Sequence, residues 1–122
     1  MPRETDPTRL DLLWKLLARN SVHLTARARR GSSELDDLGL EGLFGPTLAL
    51  GEMKQRLTSA LEGHIRRGGA VNRVSYAGDE VRGDPVTFHE FRITIAGTRV
   101  YVKAELHEEA DIVIVRSVKR RN

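Results

Sequence analysis

Proton transfer near neutral pH is best served by imidazole, and phosphate binding by clustered cations. The chain carries both. Its histidines are His23, His64, His89 and His107. An unperturbed imidazole titrates at about pH 6.5, which makes His89 the natural acid–base candidate. Cations gather without balancing acids at Arg27, Arg29 and Arg30, at Arg66 and Arg67, and at Arg116, Lys119, Arg120 and Arg121. Each can displace a counterion from a nucleic-acid backbone. The competing reading is solvated surface charge, with Arg66 and Arg67 stabilising a helix C-terminus. The acids lie elsewhere, at Glu34, Asp36 and Asp37 and at Glu108, Glu109 and Asp111. His107 next to the second group suggests metal ligation. A short acidic hairpin turn is the plainer account, so no metal is expected.

The elements that position these groups follow from spacing. Asp6-Pro7 is an N-cap followed by proline at the first helical position. Leu10, Leu13, Trp14 and Leu17 continue at helical spacing, predicting a helix to about Asn20. Val22, Leu24 and Ala26 alternate within Ser21 to Arg29, which admits a short strand. Ser33 and Asp36 resemble a capping box for a short helix ending near Gly39. Leu40 to Leu50 reads as a loop. A second long helix is expected from about Glu52 to Arg67, with Met53, Leu57, Ala60, Leu61 and Ile65 as its apolar stripe. Gly68-Gly69 ends it. The period then changes to two. Strands are expected over Val71 to Tyr76, Phe88 to Ile95, Arg99 to Leu106 and Ile112 to Val118, with a loop from Tyr76 to Pro85. Helices followed by an antiparallel sheet is an α+β order.

A two-residue turn at Ala96-Gly97 sets the register of the next hairpin. It pairs Ile95 with Thr98, Ile93 with Val100 and Phe91 with Val102 on the core face. On the other face it pairs Thr94 with Arg99, Arg92 with Tyr101 and Glu90 with Lys103. A tyrosine among cations can stack a base and hold phosphates. An ordinary solvated sheet face, with Glu90 and Lys103 as a cross-strand ion pair, is the bland alternative. His89 falls in phase with Phe91, Ile93 and Ile95, the core face. A β-bulge at 88–90 would turn it to the other. The last strand is apolar on both faces at Ile112 to Val115, so it should lie centrally in the sheet.

Composition bounds the rest. In 122 residues, 20 basic minus 17 acidic side chains gives a net charge of +3. Hydrophobic residues at 39% and charged residues at 30% suit one globular domain, 1–122, with a real core. No apolar run reaches the roughly 18 residues of a membrane helix. The first ten residues lack the apolar core of a signal peptide, so a cytoplasmic location is expected. There are no cysteines, which excludes disulfides, thiol nucleophiles and Cys-based zinc sites. P-loop, GxSxG and HExxH motifs are absent.

Three stretches resemble the MqsR toxins, a branch of the RelE-like bacterial ribonuclease toxins. DPTRLDLLWKLLARNSVHLT is similar to the family's opening helix and strand, and SSELDDLGLEGLF to its short acidic helix. VYVKAELHEEADIVIVRSVK is similar to its final hairpin. Together they cover nearly half the chain, in the family's order, while residues 51–87 match poorly. The resemblance implies two or three helices packed on a twisted, mainly antiparallel sheet of three to five strands. It implies the toxin of a type II toxin–antitoxin pair, a metal-independent mRNA endoribonuclease needing no cofactor. Its partners would be mRNA and a cognate antitoxin protein. In that chemistry the RNA 2′-hydroxyl attacks its own phosphate.

By the resemblance the family's tyrosine falls on Tyr101 and its following lysine on Lys103. The family's terminal lysine falls on Lys119 if one residue is inserted in the last strand. Without the insertion it falls on Val118, and Arg116 is then the nearest cation in phase. The family's glutamine falls on Phe88, or on His89 with one gap, and its helix lysine nearest Lys54. The catalytic candidates are therefore His89, Tyr101, Lys119 and Arg116, with Lys54, Arg92, Arg99, Lys103, Arg120 and Arg121 for RNA binding. A non-catalytic nucleic-acid-binding module on the same scaffold is the alternative, and a protein-interaction domain is a third reading.

Overall fold

The computed structural model describes residues 3–24, 43–45, 48–74 and 86–121. The expected short helix at Ser33–Gly39, the loop at Tyr76–Pro85 and the basic cluster Arg27, Arg29, Arg30 lie outside them. So do residues 40–42 and 46–47 of the Leu40–Leu50 loop. Among the described residues the order is α1 (Pro7–Ala18), β1 (Val22–Leu24), α2 (Leu50–Arg66), β2 (Val71–Val74), β3 (Val86–Ile95), β4 (Thr98–His107) and β5 (Ile112–Arg120). No helix among them is long and apolar enough to cross a membrane. The α+β class holds. The boundaries of β2 to β5 lie within two residues of the spacing-based expectation.

Helix α1 starts as the Asp6-Pro7 pair requires. The Asp6 carboxylate accepts the Thr8 backbone N–H at 2.9 Å, satisfying one of the orphan amides of the first turn. The helix stops at Ala18, and Asn20 takes a left-handed φ of 56° that sends the chain into β1. Helix α2 ends where Gly68, at φ 78°, reverses the backbone. Gly68 and Gly69 then return N–H donors to the carbonyls of Ile65 and His64. Leu13, Leu16 and Leu17 of α1 and Met53, Leu57 and Leu61 of α2 are buried. Trp14, expected in the α1 stripe, is only half-buried, and its indole N–H donates to Glu62 of α2 at 3.0 Å. Leu16 takes the deep position instead.

The five strands are ordered β1-β5-β4-β3-β2. The β2–β3–β4–β5 pairings are antiparallel, but β1 joins the outside of β5 in parallel, with Val22 against Val113. The sheet is therefore mixed rather than purely antiparallel. As its apolar run requires, β5 lies inside the sheet, between β1 and β4. Both helices pack on one face, closing a core of Phe91, Ile93, Ile95, Val100, Val102, Leu106, Val113, Val115 and Val118. The opposite side is the far face of the sheet.

The β3–β4 hairpin has the expected register, from Ile95 against Thr98 outward. Its turn places Ala96 at φ 52° and Gly97 at φ 79°, both left-handed, the type I′ geometry that matches strand twist. Glycine meets that demand freely, whereas alanine is disfavoured there by about 1–2 kcal/mol. Asparagine tolerates this backbone region better. Ala96→Asn is therefore expected to stabilise the fold by about 1 kcal/mol, read as a higher urea midpoint at unchanged slope. An unchanged or lower midpoint would show that the turn is not strained.

Candidate nucleic-acid interface

Alternation along β4 sorts its side chains cleanly. Val100, Val102, Ala104 and Leu106 enter the core, while Arg99, Tyr101, Lys103, Glu105 and His107 line the far face. Tyr101 lies opposite Arg92 of β3 on one side and Lys119 of β5 on the other. The Arg92 guanidinium lies 5.1 Å from the centre of the Tyr101 ring, and that of Arg121 lies 5.3 Å from it. Arg92 also touches Glu90 at 3.3 Å. The Arg121 Nε–H is buried with no hydrogen-bond partner. Arg121 is held in place by its backbone N–H, which donates to the Arg99 carbonyl at 2.8 Å. The ring thus serves two cations at once. What the cluster presents is concentrated positive charge, with guanidinium planes on which a base can stack.

A β-bulge in β5 decides which other cations join this cluster. Lys103 pairs with Ser117 but Ala104 pairs with Val115, so Arg116 is an extra residue. The bulge shifts the alternation by one position. Val115 and Val118 both remain in the core, while Arg116, Ser117 and Lys119 all reach the far face. An unbulged strand would place Arg116 or Lys119 there, not both. With this extra residue, Lys119 pairs with Tyr101.

Below Lys103 the far face changes character. The Glu105 side chain is only 6% exposed, and Arg116 contacts it through Nε. His107 Nε2 lies 3.4 Å from the other Glu105 oxygen and has no hydrogen-bond partner. Phe88 and Ile114 flank Glu105 in the strand register. Neither Glu105 nor His107 was singled out as an acid–base group in the sequence. The signal was available as the i, i+2 spacing of Glu105 and His107 on one strand face.

Three expected site residues lie elsewhere, for reasons of register. His89 is corrected first. The β3–β4 ladder runs unbroken from Val86 to Ile95, so no bulge turns residues 88–90. His89 stays on the core face and is fully buried. Its Nε2–H donates to Glu4 at 2.9 Å, and Glu4 accepts the Arg9 guanidinium at 3.1 and 3.2 Å. Arg9 in turn reaches Glu108 at 3.1 Å. This chain of polar contacts ties the N-terminal segment, α1 and the β4–β5 turn to β3. Lys54 is the second correction. It rides on α2, in the layer covering the opposite side of the sheet. Arg120 is the third: it pairs with Val100 and so faces the helix side. Arg99 remains on the Tyr101 face, at the hairpin end.

His64 packs against the sheet. Its ring meets Phe91 edge-on at 6.0 Å and bonds the Ala70 carbonyl at 2.8 Å. His23 is exposed. Among the described residues no three His, Asp or Glu side chains are grouped to hold a metal ion. No family model, curated protein or solved structure matches the chain.

The His89–Glu4 pair has a consequence for pH. Burial pushes the His89 imidazole below its ordinary value, against the pull of Glu4. Burial raises the Glu4 carboxyl, but hydrogen bonds from His89 and Arg9 outweigh it and hold the group below its ordinary value. Both folded values are depressed. Each group's contribution to stability is therefore present above its unfolded pKa and lost as pH falls. For His89 that loss begins below about pH 6.5, where the unfolded chain takes the proton more readily. Protonation would also bury an Nδ1–H beside no acceptor. Wild-type stability in urea is expected to fall between pH 7 and pH 5, and His89→Gln to flatten that slope. Equal slopes in the two proteins would show that His89 does not carry it.

Proposed function

We propose that the protein binds single-stranded RNA across its far face and cleaves it without a metal ion, as the toxin half of a toxin–antitoxin pair. The observation that supports binding is Tyr101 holding Arg92 and Arg121 around one ring with Lys119 opposite. Such an array neutralises consecutive phosphates and offers flat groups to bases, with no need for a particular sequence. Arg99 and Lys103 extend the same face along β4. Cleavage comes to this reading from the likeness to MqsR toxins and the wider RelE-like fold. The α+β layering, and the bulge that brings Lys119 opposite Tyr101, agree with that likeness. The same reading carries a cytoplasmic site of action and an antitoxin that neutralises the protein.

One observation favours a second reading. His89, the acid–base candidate that imidazole chemistry suggested, is sealed in the core. A binding module without catalysis would have no use for it on the far face.

Incubation with mixed-sequence RNA in excess EDTA separates the two. Cleavage leaving 2′,3′-cyclic phosphate and 5′-hydroxyl ends is expected. Intact RNA that is still bound in a salt-sensitive manner would move the conclusion to the binding module. For the interface itself, Lys119→Ala is expected to weaken RNA binding and to reduce the slope of log affinity against log salt by about 0.7. An unchanged slope would remove Lys119 from the phosphate-binding set.

A further inference from the structure

We infer that His107, which faces Glu105 at 3.4 Å, is the proton-transfer residue of this protein, and that the cleavage centre lies at the Glu105–His107–Arg116 end of the far face. The inference rests on the ribonuclease reading above and deepens it. Three observations carry it.

The first is burial. Glu105 is a carboxylate with 6% side-chain exposure, flanked in register by Phe88 and Ile114. A buried anion is costly unless it is paired, and this one faces two basic groups. Arg116 contacts one oxygen, and His107 Nε2 stands 3.4 Å from the other. The second is the state of the His107 ring. Its Nε2 is buried without a hydrogen-bond partner while the side chain as a whole is 18% exposed. A carboxylate on that side selects the tautomer with the proton on Nε2 and leaves the lone pair on Nδ1. The 3.4 Å gap is long for a hydrogen bond. Such contacts tighten when the ring becomes cationic, so Glu105 is a waiting counter-ion for an imidazolium. The carboxylate–imidazole arrangement is the one that orients a base in nucleophilic catalysis generally. Third, the bulge places Arg116 against the same carboxylate, which puts a cation beside the base where phosphate charge would develop.

Neutral His107 takes the proton of the 2′-hydroxyl. The 2′-oxygen bonds to phosphorus, and the bond from phosphorus to the 5′-oxygen breaks. Water protonates the leaving 5′-oxygen, and the resulting hydroxide is neutralised by the imidazolium. Products are a 2′,3′-cyclic phosphate and a 5′-hydroxyl. Glu105 touches no reacting atom and is a positioning residue. Tyr101 and His107 are six residues apart on β4, roughly 20 Å at strand rise. The Tyr101 cluster is therefore a separate binding subsite several nucleotides from the bond that breaks.

The test compares variants on a single-stranded RNA of mixed sequence in excess EDTA. His107→Gln is expected to lower kcat about 100-fold or more with RNA affinity within threefold of wild type. Glu105→Gln should lower kcat about tenfold with KM held, whereas Tyr101→Ala should raise KM. Cleavage by His107→Gln within threefold of wild type would overturn the inference and leave the ribonuclease reading intact. Wild-type protein that binds RNA but leaves it whole would overturn both. Should His107→Gln melt below the assay temperature, His107→Gly with added imidazole replaces it. Recovery of cleavage supports the assignment, and failure to recover it overturns the assignment.

Discussion

Strand β4 constrains the molecule more than any other element. Its ten residues alternate between a core that must stay dry and a face that carries charge. A slip of one residue would bury Tyr101 and Lys103 and expose Val100, Val102 and Leu106. Neither outcome is tolerable, because the chain would lose apolar burial and gain uncompensated buried charge together. The register is therefore strongly specified. The left-handed turn at Ala96-Gly97 anchors it on one side and the acidic turn with Asp111, at φ 51°, on the other.

The bulge at Arg116 is the one departure from this order, and it serves both faces. Val113, Val115 and Val118 are all required by the core, yet they are spaced two and then three apart. A regular strand cannot bury both Val115 and Val118. Inserting one residue reconciles them and puts Arg116 and Ser117 side by side on the far face. Packing on one side of the sheet thus determines the cation geometry on the other. The Tyr101 cluster and the Glu105 cluster are connected through that backbone irregularity.

Across the sheet, the buried His89 does different work. It links β3 to Glu4, whose backbone N–H also donates to Val71 at 2.8 Å, and through Arg9 to Glu108 in the β4–β5 turn. The N-terminal segment is thereby fixed along β2 and under α1. The two histidines beside carboxylates, His89 with Glu4 and His107 with Glu105, differ mainly in access. One is enclosed by the helix layer, whereas the other lies at the margin of the far face.

Sequence by itself determined much of the local structure. The Asp6-Pro7 cap, the helical spacing of Leu13, Leu17, Met53, Leu57 and Leu61, and the period-two strands all express interactions between near neighbours in the chain. So does the hairpin pairing of Arg92 with Tyr101, because a two-residue turn sets every later pair. Only the tertiary structure decided the parallel docking of β1 on β5, the extra residue at Arg116 and the enclosure of His89. Each depends on partners far away in sequence: β1 needs the edge of β5, the bulge needs a core that demands both Val115 and Val118, and His89 needs Glu4, 85 positions earlier. The His107–Glu105 relationship belongs to both levels. Alternation placed the two side chains on one face, but Arg116 and the apolar neighbours Phe88 and Ile114 came from adjoining strands. Spacing can say which side chains share a face; what surrounds them, and so what chemistry they can do, is set by the elements that fold against them.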